Sequence, residues 1–162
     1  MATGKTGQIT VSNERPRASD KWSMLITRKA EFSASHFCRL ASLSNEQNLA
    51  LFGEEAHPSG HGHNFVLEVS VEGEPDPVTG MIVDLKELKE ILEGEIVTPM
   101  DHRFLNYEVE PFGKIVPTAA NIALEIWRRL EKRFYAAEFH LARVRLFETP
   151  DLYVDVVQPA SV

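Results

Sequence analysis

The segment HNFVLEVSVEGE, residues 63–74, constrains the fold of this chain more than any other stretch. Apolar residues alternate with mostly polar ones, which predicts a β-strand with one buried face. The predicted buried positions are Phe65, Leu67, Val69 and Val71, and the opposite positions are Val66, Glu68, Ser70 and Glu72. Extended backward, the same period places His61 and His63 on the apolar face. The sequence therefore predicts a strand that begins with two histidines on its core side.

A second strand is predicted over MLITRKAEFSASH, residues 24–36. Alternate positions share one side of an extended chain, and here that side is mostly apolar. Arg28 is the exception, and His36 ends the face. The apolar positions are Ile26, Ala30, Phe32 and Ala34. A third histidine is thus expected at the end of a neighbouring strand.

The remaining elements define the fold class. The segment SNEQNLALFG predicts a short helix with Ser44 as its N-cap and Gly53 past its end. Two amphipathic helices follow the second strand, the first with Leu85, Leu88, Leu92 and Ile96 on one side and Asp84 as its cap, the second from about Thr118 to Phe134. A C-terminal hairpin follows, in which Ala142, Val144, Leu146 and Glu148 are predicted to share a face. The order strand, strand, helix, helix, strand, strand predicts an α+β fold with an antiparallel sheet of four strands and the helices on one face.

Composition limits the class of protein further. The chain has 162 residues, of which 43% are hydrophobic and 25% charged, as in a single globular domain. We predict a flexible extension over residues 1–21 and the domain over residues 22–162. The net charge of −7 argues against a nucleic-acid surface. One cysteine, no apolar run of membrane length and no secretory signal predict a cytoplasmic protein.

His36, His61 and His63 are the strongest candidates for chemistry. Histidines two apart on a strand point the same way, and a third from a neighbouring strand can complete three ligands of a tetrahedral zinc site. Three protein nitrogens leave the fourth position open, as in catalytic zinc sites. The alternative is a chance pair at a strand end, with both rings merely hydrogen-bonded.

Carboxylates supply the other candidates. Glu54 and Glu55 lie in the loop before His61, where either could act as a base beside a metal or form solvated surface. Asp101 and His102 could form a proton-transfer pair or simply a turn.

Glu148 ends the predicted apolar face of its strand and therefore needs a partner. The partner of the Glu148 carboxylate could be either a planar ligand with two N–H donors or an arginine. Cys38 follows His36 closely in sequence, and a lone cysteine is more often packed in a core than used as a nucleophile.

Several motifs, taken together and in order from about Met24 to Val157, resemble the 6-pyruvoyl-tetrahydropterin synthase family. They are FSASH, LSNEQN, FGEEAHPSGHGHNF, DPVTGMIVDLKELK, MDHRFLN, PTAAN and FETPD. The resemblance implies the tunnelling fold, a four-stranded antiparallel sheet with two helices on one face. It also implies trimers whose sheets close a barrel, usually paired into homo-hexamers with the sites between subunits.

The resemblance further implies a role for each candidate. His36, His61 and His63 would hold zinc, and the substrate would be a pterin triphosphate. Glu148 would bind the pterin, with backbone near Thr118 supporting its other end. Asp101 and His102 would form a proton relay, and His102 could serve the zinc of a neighbouring subunit.

Two positions depart from the family pattern. Glu55 stands where the pyruvoyl-forming and 6-carboxy-forming synthases have a catalytic cysteine, and Ala120 stands where glutamate is common. The pattern resembles a subgroup that cleaves 7,8-dihydroneopterin triphosphate to 6-hydroxymethyl-7,8-dihydropterin, a folate precursor. A carboxylate is a weaker base than a thiolate and suits a hydroxyl acidified by zinc, so Glu55 would start a retro-aldol cleavage.

We therefore expect a zinc-dependent lyase with the hydroxymethyl product. The alternatives are pyruvoyl or carboxy product formation from the same substrate, and a non-catalytic pterin-binding oligomer.

Overall fold

The computed structural model describes residues 24–135 and 139–158, which form one sheet and the helices packed on it. The strands are β1 (Leu25–His36), β2 (His61–Glu72), β3 (Arg103–Phe104), β4 (His140–Thr149) and β5 (Leu152–Val157). The helices are α1 (Asn45–Phe52), α2 (Leu85–Leu92), α3 (Thr98–Met100), α4 (Leu105–Glu108) and α5 (Ala119–Phe134). A 3₁₀ turn spans Gly53–Ala56, and a π-helical turn over Glu93–Val97 joins α2 to α3. The predicted extension, residues 1–21, lies outside the described residues.

The sheet has five strands in the order β3-β1-β2-β4-β5 and is mixed, so the predicted sheet of four antiparallel strands is wrong. β1, β2, β4 and β5 pair antiparallel as expected, but β3 pairs parallel to β1. β3 has only two residues, too few for an alternating pattern to indicate a strand. It follows a backbone hydrogen bond of 2.6 Å from the His102 N–H to the Ser33 carbonyl.

The register of β1 and β2 brings the histidines together. His36 is paired with His61, and Ala34 is paired with His63. Directly paired residues of antiparallel strands project to the same face. The apolar parity predicted for both strands is confirmed, because Phe32 and Phe65 are buried on that face and stack with ring centroids 5.1 Å apart.

The helices bury one face of the sheet. The buried residues of α5 are Ile122, Ala123, Ile126, Trp127, Leu130 and Phe134. Of the predicted stripe at α2, Leu88, Leu92 and Ile96 are buried, but Leu85 is 51% exposed because it is the first helical residue. Ser44, Asp84 and Thr118 accept N-cap hydrogen bonds at the starts of α1, α2 and α5.

A β-bulge in β4 changes which residues of this strand face the core, so one predicted position is wrong. Ser70 pairs with Arg143 but Val71 pairs with Leu141, so Ala142 is the extra residue. Leu141 is consequently buried in the core, where Ala142 was expected. Beyond the bulge the predicted parity holds through Val144 and Leu146.

Within residues 24–135 and 139–158, no helix has the length and hydropathy of a membrane span.

Candidate active site

Three imidazole rings converge at the paired ends of β1 and β2. The ring centroids of His36 and His61 are 4.5 Å apart, those of His61 and His63 are 4.9 Å apart, and those of His36 and His63 are 5.3 Å apart. Gly60 lets the chain enter β2 here with φ of 69°, and a Cβ at this position would lie 2.9 Å from the His36 carbonyl oxygen. The predicted grouping of the three histidines is therefore present in the fold.

The hydrogen bond of His36 fixes its tautomer. Nδ1 lies 2.7 Å from the carbonyl oxygen of Pro117, and a carbonyl can only accept a hydrogen bond. Nδ1 therefore carries the proton, which leaves the Nε2 lone pair free. Burial lowers the pKa of His36 to about 4, so the ring is neutral at physiological pH. A neutral imidazole with a free Nε2 is the form that binds metal.

The Nε2 atoms of all three histidines are buried and make no hydrogen bond among the described residues. Buried polar atoms in folded proteins nearly always have partners, yet the polar atoms nearest to these nitrogens are carboxylate oxygens of Glu55 and Glu148, so the convergence requires an explanation. Imidazole nitrogens are ligands for zinc and for other first-row divalent metals. The donor set thus fits the metal site expected from the sequence.

Glu55 approaches this cluster and Glu54 does not. Glu55 lies in the 3₁₀ turn, and its Oε2 is 2.5 Å from His61 Nε2. One ligand atom each from Glu55 and the three histidines lie within 4.8 Å of one another. Glu54 is not part of this cluster, so of the two adjacent acids Glu55 is the one placed to act at a metal.

Glu148 reaches the same cluster from β4. Its Oε1 lies 3.6 Å from His36 Nε2 and 3.9 Å from His63 Nε2. The side chain is only 13% exposed, and burial together with the nearby Glu55 raises the pKa of the carboxyl. Glu148 therefore ends the apolar face as predicted, and among the described residues no arginine is paired with it.

Thr118 directly follows Pro117, whose carbonyl oxygen bonds to His36 of the cluster. Its side chain accepts a hydrogen bond from the Asn121 N–H, which caps α5, while the preceding carbonyl of Pro117 bonds to His36. Thr118 thus fixes the backbone next to a histidine of the cluster. Ala120 is exposed on the first turn of α5.

Asp101 and His102 are paired with each other, and His102 lines the same cavity as His63. Asp101 Oδ1 is 3.2 Å from His102 Nδ1, and the His102 side chain is 82% exposed. A hydrogen bond from the Ser33 N–H is the largest cause that lowers the pKa of Asp101. His102 has φ of 58°, an uncommon conformation for a residue other than glycine. Among the described residues, no hydrogen bond or ion pair joins this pair to His36, His61 or His63.

Cys38 is buried, as predicted, and is not an alternative nucleophile. Burial and the nearby Glu55 and Glu148 raise the pKa of its thiol to about 11. The thiol is therefore protonated at neutral pH. Its backbone N–H donates a hydrogen bond of 2.8 Å to the Glu55 carbonyl, which anchors the 3₁₀ turn.

Comparisons with known proteins agree with this architecture. A family model described as 6-pyruvoyl tetrahydropterin synthase matches residues 25–159. The 6-pyruvoyl tetrahydrobiopterin synthases of Pongo abelii and Homo sapiens are 42% and 41% identical over 124 residues, which cover 76% of this chain and 84% of each relative. A 6-carboxy-5,6,7,8-tetrahydropterin synthase of Rickettsia bellii is 27% identical over 146 residues, covering 80% of this chain and 97% of the relative.

Solved structures share the fold. The Caenorhabditis elegans 6-pyruvoyl tetrahydropterin synthase superposes with a TM-score of 0.78 at 32% identity, covering 84% of this chain and 96% of that one. A Plasmodium vivax 6-pyruvoyltetrahydropterin synthase, with a glutamate described as a catalytic residue replaced by alanine, has a TM-score of 0.58 at 16% identity. That match covers 85% of this chain and 98% of the other.

The family match and the named relatives, together with the α+β fold, identify a pterin synthase of the lyase class. The chain belongs to the 6-pyruvoyl tetrahydropterin synthase family.

Proposed function

We propose that this pterin synthase binds zinc through His36, His61 and His63 and converts 7,8-dihydroneopterin triphosphate into 6-pyruvoyl tetrahydropterin. The observation that carries the proposal is the convergence of three buried Nε2 atoms without hydrogen bonds, flanked by two carboxylates. Three neutral imidazoles are a ligand set of catalytic zinc sites. Glu55 and Glu148 provide a base and a pterin acceptor on either side of that set.

The pyruvoyl product is preferred here over the hydroxymethyl product expected from the sequence. Relatives that are 41–42% identical over 76% of this chain are named 6-pyruvoyl tetrahydrobiopterin synthases. The relative named for the 6-carboxy product is 27% identical, which makes that product a weaker candidate.

Glu148 is the residue that would orient the substrate. A carboxylate with little solvent contact accepts N–H groups strongly, because an unpaired buried charge is costly. The amino and ring N–H groups of a pterin supply two such donors in one plane. Binding at Glu148 would place the substrate side chain toward His36 and His63, whose Nε2 atoms lie 3.6 and 3.9 Å from the carboxylate.

Proton transfer would use residues of two chains. Zinc, when bound, would polarise the hydroxyl groups of the substrate side chain. Glu55 would accept a proton from that side chain, since its carboxylate lies beside the histidines and is 49% exposed. Asp101 and His102 of a second copy would return a proton, because within the described part of one chain no hydrogen bond or ion pair joins them to the cluster.

An oligomer with sites between subunits is part of this proposal. Within the described residues, β5 pairs only with β4, and β1 pairs on its outer side only with the two residues of β3. Open edges of this kind can pair with another chain. A trimer, or two trimers in a hexamer, would cover these edges and bring a neighbour's His102 to the cluster.

Formation of 6-hydroxymethyl-7,8-dihydropterin is the second candidate, and Glu55 is the observation that favours it. A carboxylate is a weaker base than a thiolate and suits a hydroxyl acidified by zinc, which is the proton whose removal starts a retro-aldol cleavage. Cleavage between the first two side-chain carbons would release a two-carbon aldehyde that still carries the triphosphate. Pyruvoyl formation instead eliminates inorganic triphosphate.

Release of inorganic triphosphate tests the proposal. Protein purified without chelator should release it from the substrate at the rate at which substrate is consumed. Consumption of substrate without free triphosphate would favour the second candidate. Zinc-loaded protein that leaves the substrate unchanged would favour a non-catalytic pterin-binding oligomer. The His61→Ala variant is the matched control and should be inactive.

A further inference from the structure

We propose that Glu55 is a fourth metal ligand in the resting protein and leaves the metal when substrate binds. The proposal rests on the zinc site described above and adds how that site is closed and opened. It concerns the side chain of Glu55 only; the three histidines remain ligands throughout.

The first support is the geometry of the cluster. The ligand atoms of His36, Glu55, His61 and His63 all lie within 4.8 Å of one another. Zinc takes carboxylate oxygens and imidazole nitrogens at about 2.0–2.2 Å, so four such atoms can surround one ion after small side-chain movements. The Glu55 carboxylate contacts the cluster at His61, with Oε2 2.5 Å from Nε2.

Glu148 is less well placed to be the fourth ligand. Its oxygen lies 3.6 and 3.9 Å from two of the histidine nitrogens, but Glu148 is not in the group whose atoms are all within 4.8 Å. Glu148 therefore stays available for the pterin while Glu55 binds the metal. The two carboxylates approach different histidines of the cluster, Glu55 at His61 and Glu148 at His36 and His63.

The second support is the difference in rigidity between the ligands. The histidines lie on paired strands, whereas Glu55 lies on a four-residue 3₁₀ turn. The turn begins at Gly53 with φ of 60°, and no atom lies within 4 Å of a Cβ built there. The Glu55 side chain is 49% exposed, so its movement displaces no packed residue. The mobile ligand is thus the carboxylate.

The backbone of the turn is anchored, which limits the motion to the side chain. The Cys38 N–H donates to the Glu55 carbonyl at 2.8 Å. The Arg39 guanidinium donates to the Ala56 carbonyl at 2.7 Å and to Asn45 Oδ1 at 2.6 Å. Glu55 can therefore leave the metal and still remain beside it, where a base is needed.

A site with four protein ligands is closed, and catalytic zinc sites need an open position. Exchange of one carboxylate for the oxygen of the substrate resolves this conflict. The exchange would also free the Glu55 carboxylate to act as a base only when substrate is present.

Zinc affinity tests the proposal without any assay of turnover. Competition with a chromogenic chelator should show at least ~10-fold weaker zinc binding by Glu55→Gln than by the parent protein, since even residues that only support ligands affect affinity ~10–100-fold. Glu54→Gln, the adjacent acid on the same turn, should bind zinc as the parent does. Circular dichroism checks that each variant is folded.

The absorption spectrum of the Co²⁺-loaded protein identifies the ligand. Glu55→Gln should change the visible bands of bound Co²⁺, and Glu148→Gln should leave them unchanged. Equal zinc affinity and equal spectra for Glu55→Gln and the parent would overturn the proposal while leaving the three-histidine site intact. A spectrum changed by Glu148→Gln and not by Glu55→Gln would also overturn it. Parent protein that binds no zinc would overturn the metal site itself.

Discussion

The backbone N–H of Ser33 donates a hydrogen bond of 2.7 Å to Oδ1 of Asp101. This bond and the adjacent one from the His102 N–H to the Ser33 carbonyl fix the Asp101–His102 pair against β1. Ser33 and His36 are three positions apart in the strand and therefore face opposite sides of the sheet. Within the described part of one chain, no hydrogen bond or ion pair joins the Asp101–His102 pair to the histidine cluster.

A site shared between two chains predicts complementation between two inactive variants. His61→Ala should lose the metal site, and His102→Ala should lose the relay. If each site combines residues of two chains, random reassembly of a 1:1 mixture should restore about a quarter of the sites, because one arrangement in four has both parts intact. Specific activity after denaturation and refolding of the mixture measures this.

Each variant refolded alone is the control and should remain inactive. A mixture without activity, in oligomers shown to contain both variants, would contradict a site shared between chains.

The sequence predicted the parts of the site that depend on strand parity. His36, His61 and His63 share a face because each is an even number of positions from buried residues such as Phe32 and Phe65. Such periodicity is local and can be read from residue types alone. Placing Glu55 beside the histidines required the family resemblance, since two acids in a loop are equally consistent with solvated surface.

Other features could not be predicted because residue type does not encode them. The Pro117 carbonyl that orients His36 is a backbone group, and any residue supplies one. Arg39 reaches the Ala56 carbonyl only because the β1–α1 loop folds over the 3₁₀ turn. The bulge at Ala142 depends on pairing with β2, and β3 depends on two long-range hydrogen bonds.

Burial of His36 predicts a pH dependence of stability in the metal-free protein. The pKa of His36 is lowered to about 4 from 6.5, so the unfolded chain binds a proton that the folded protein does not. The contribution of His36 to the free energy of unfolding is therefore complete above pH 6.5 and is lost as the pH decreases toward 4. The loss attributable to His36 should be about 3 kcal/mol, which urea unfolding with chelator present can measure.

His36→Gln is the comparison for this effect. It should be less stable than the parent at pH 8, and the difference should shrink as the pH falls. A constant difference between pH 8 and pH 4 would contradict the neutral, buried state of His36.

Replacing Glu55 tests its assignment as the base. Glu55→Gln keeps the shape of the side chain but cannot accept a proton, and kcat should fall about 10²–10⁴-fold. Steady-state kinetics on protein of equal zinc content separates this loss from a loss of metal. A kcat within about twofold of the parent value would show that Glu55 is not the base.

Glu55→Cys is the complementary variant, because it restores the residue expected in the pyruvoyl-forming synthases. If the parent makes the pyruvoyl product, the variant should make the same product, at an equal or higher rate. A change of product between the two proteins would show that residue 55 selects the reaction, as the second candidate function requires.

Glu148→Gln should weaken pterin binding. The amide replaces a charged acceptor with a group that presents one donor, so a charge-assisted hydrogen bond is lost. We expect kcat/KM to fall about 10–100-fold, mostly through KM, with zinc content unchanged. Glu68→Gln, on the opposite face of the sheet, is the control for removing a buried carboxylate. Unchanged KM for Glu148→Gln would place the pterin elsewhere.

Mass spectrometry of the pterin formed from 7,8-dihydroneopterin triphosphate decides which reaction this protein catalyses. Zinc-loaded protein should yield a pterin that retains all three side-chain carbons and has lost the triphosphate, the mass of 6-pyruvoyl tetrahydropterin. A pterin with a one-carbon side chain, or substrate recovered unchanged, would contradict the account.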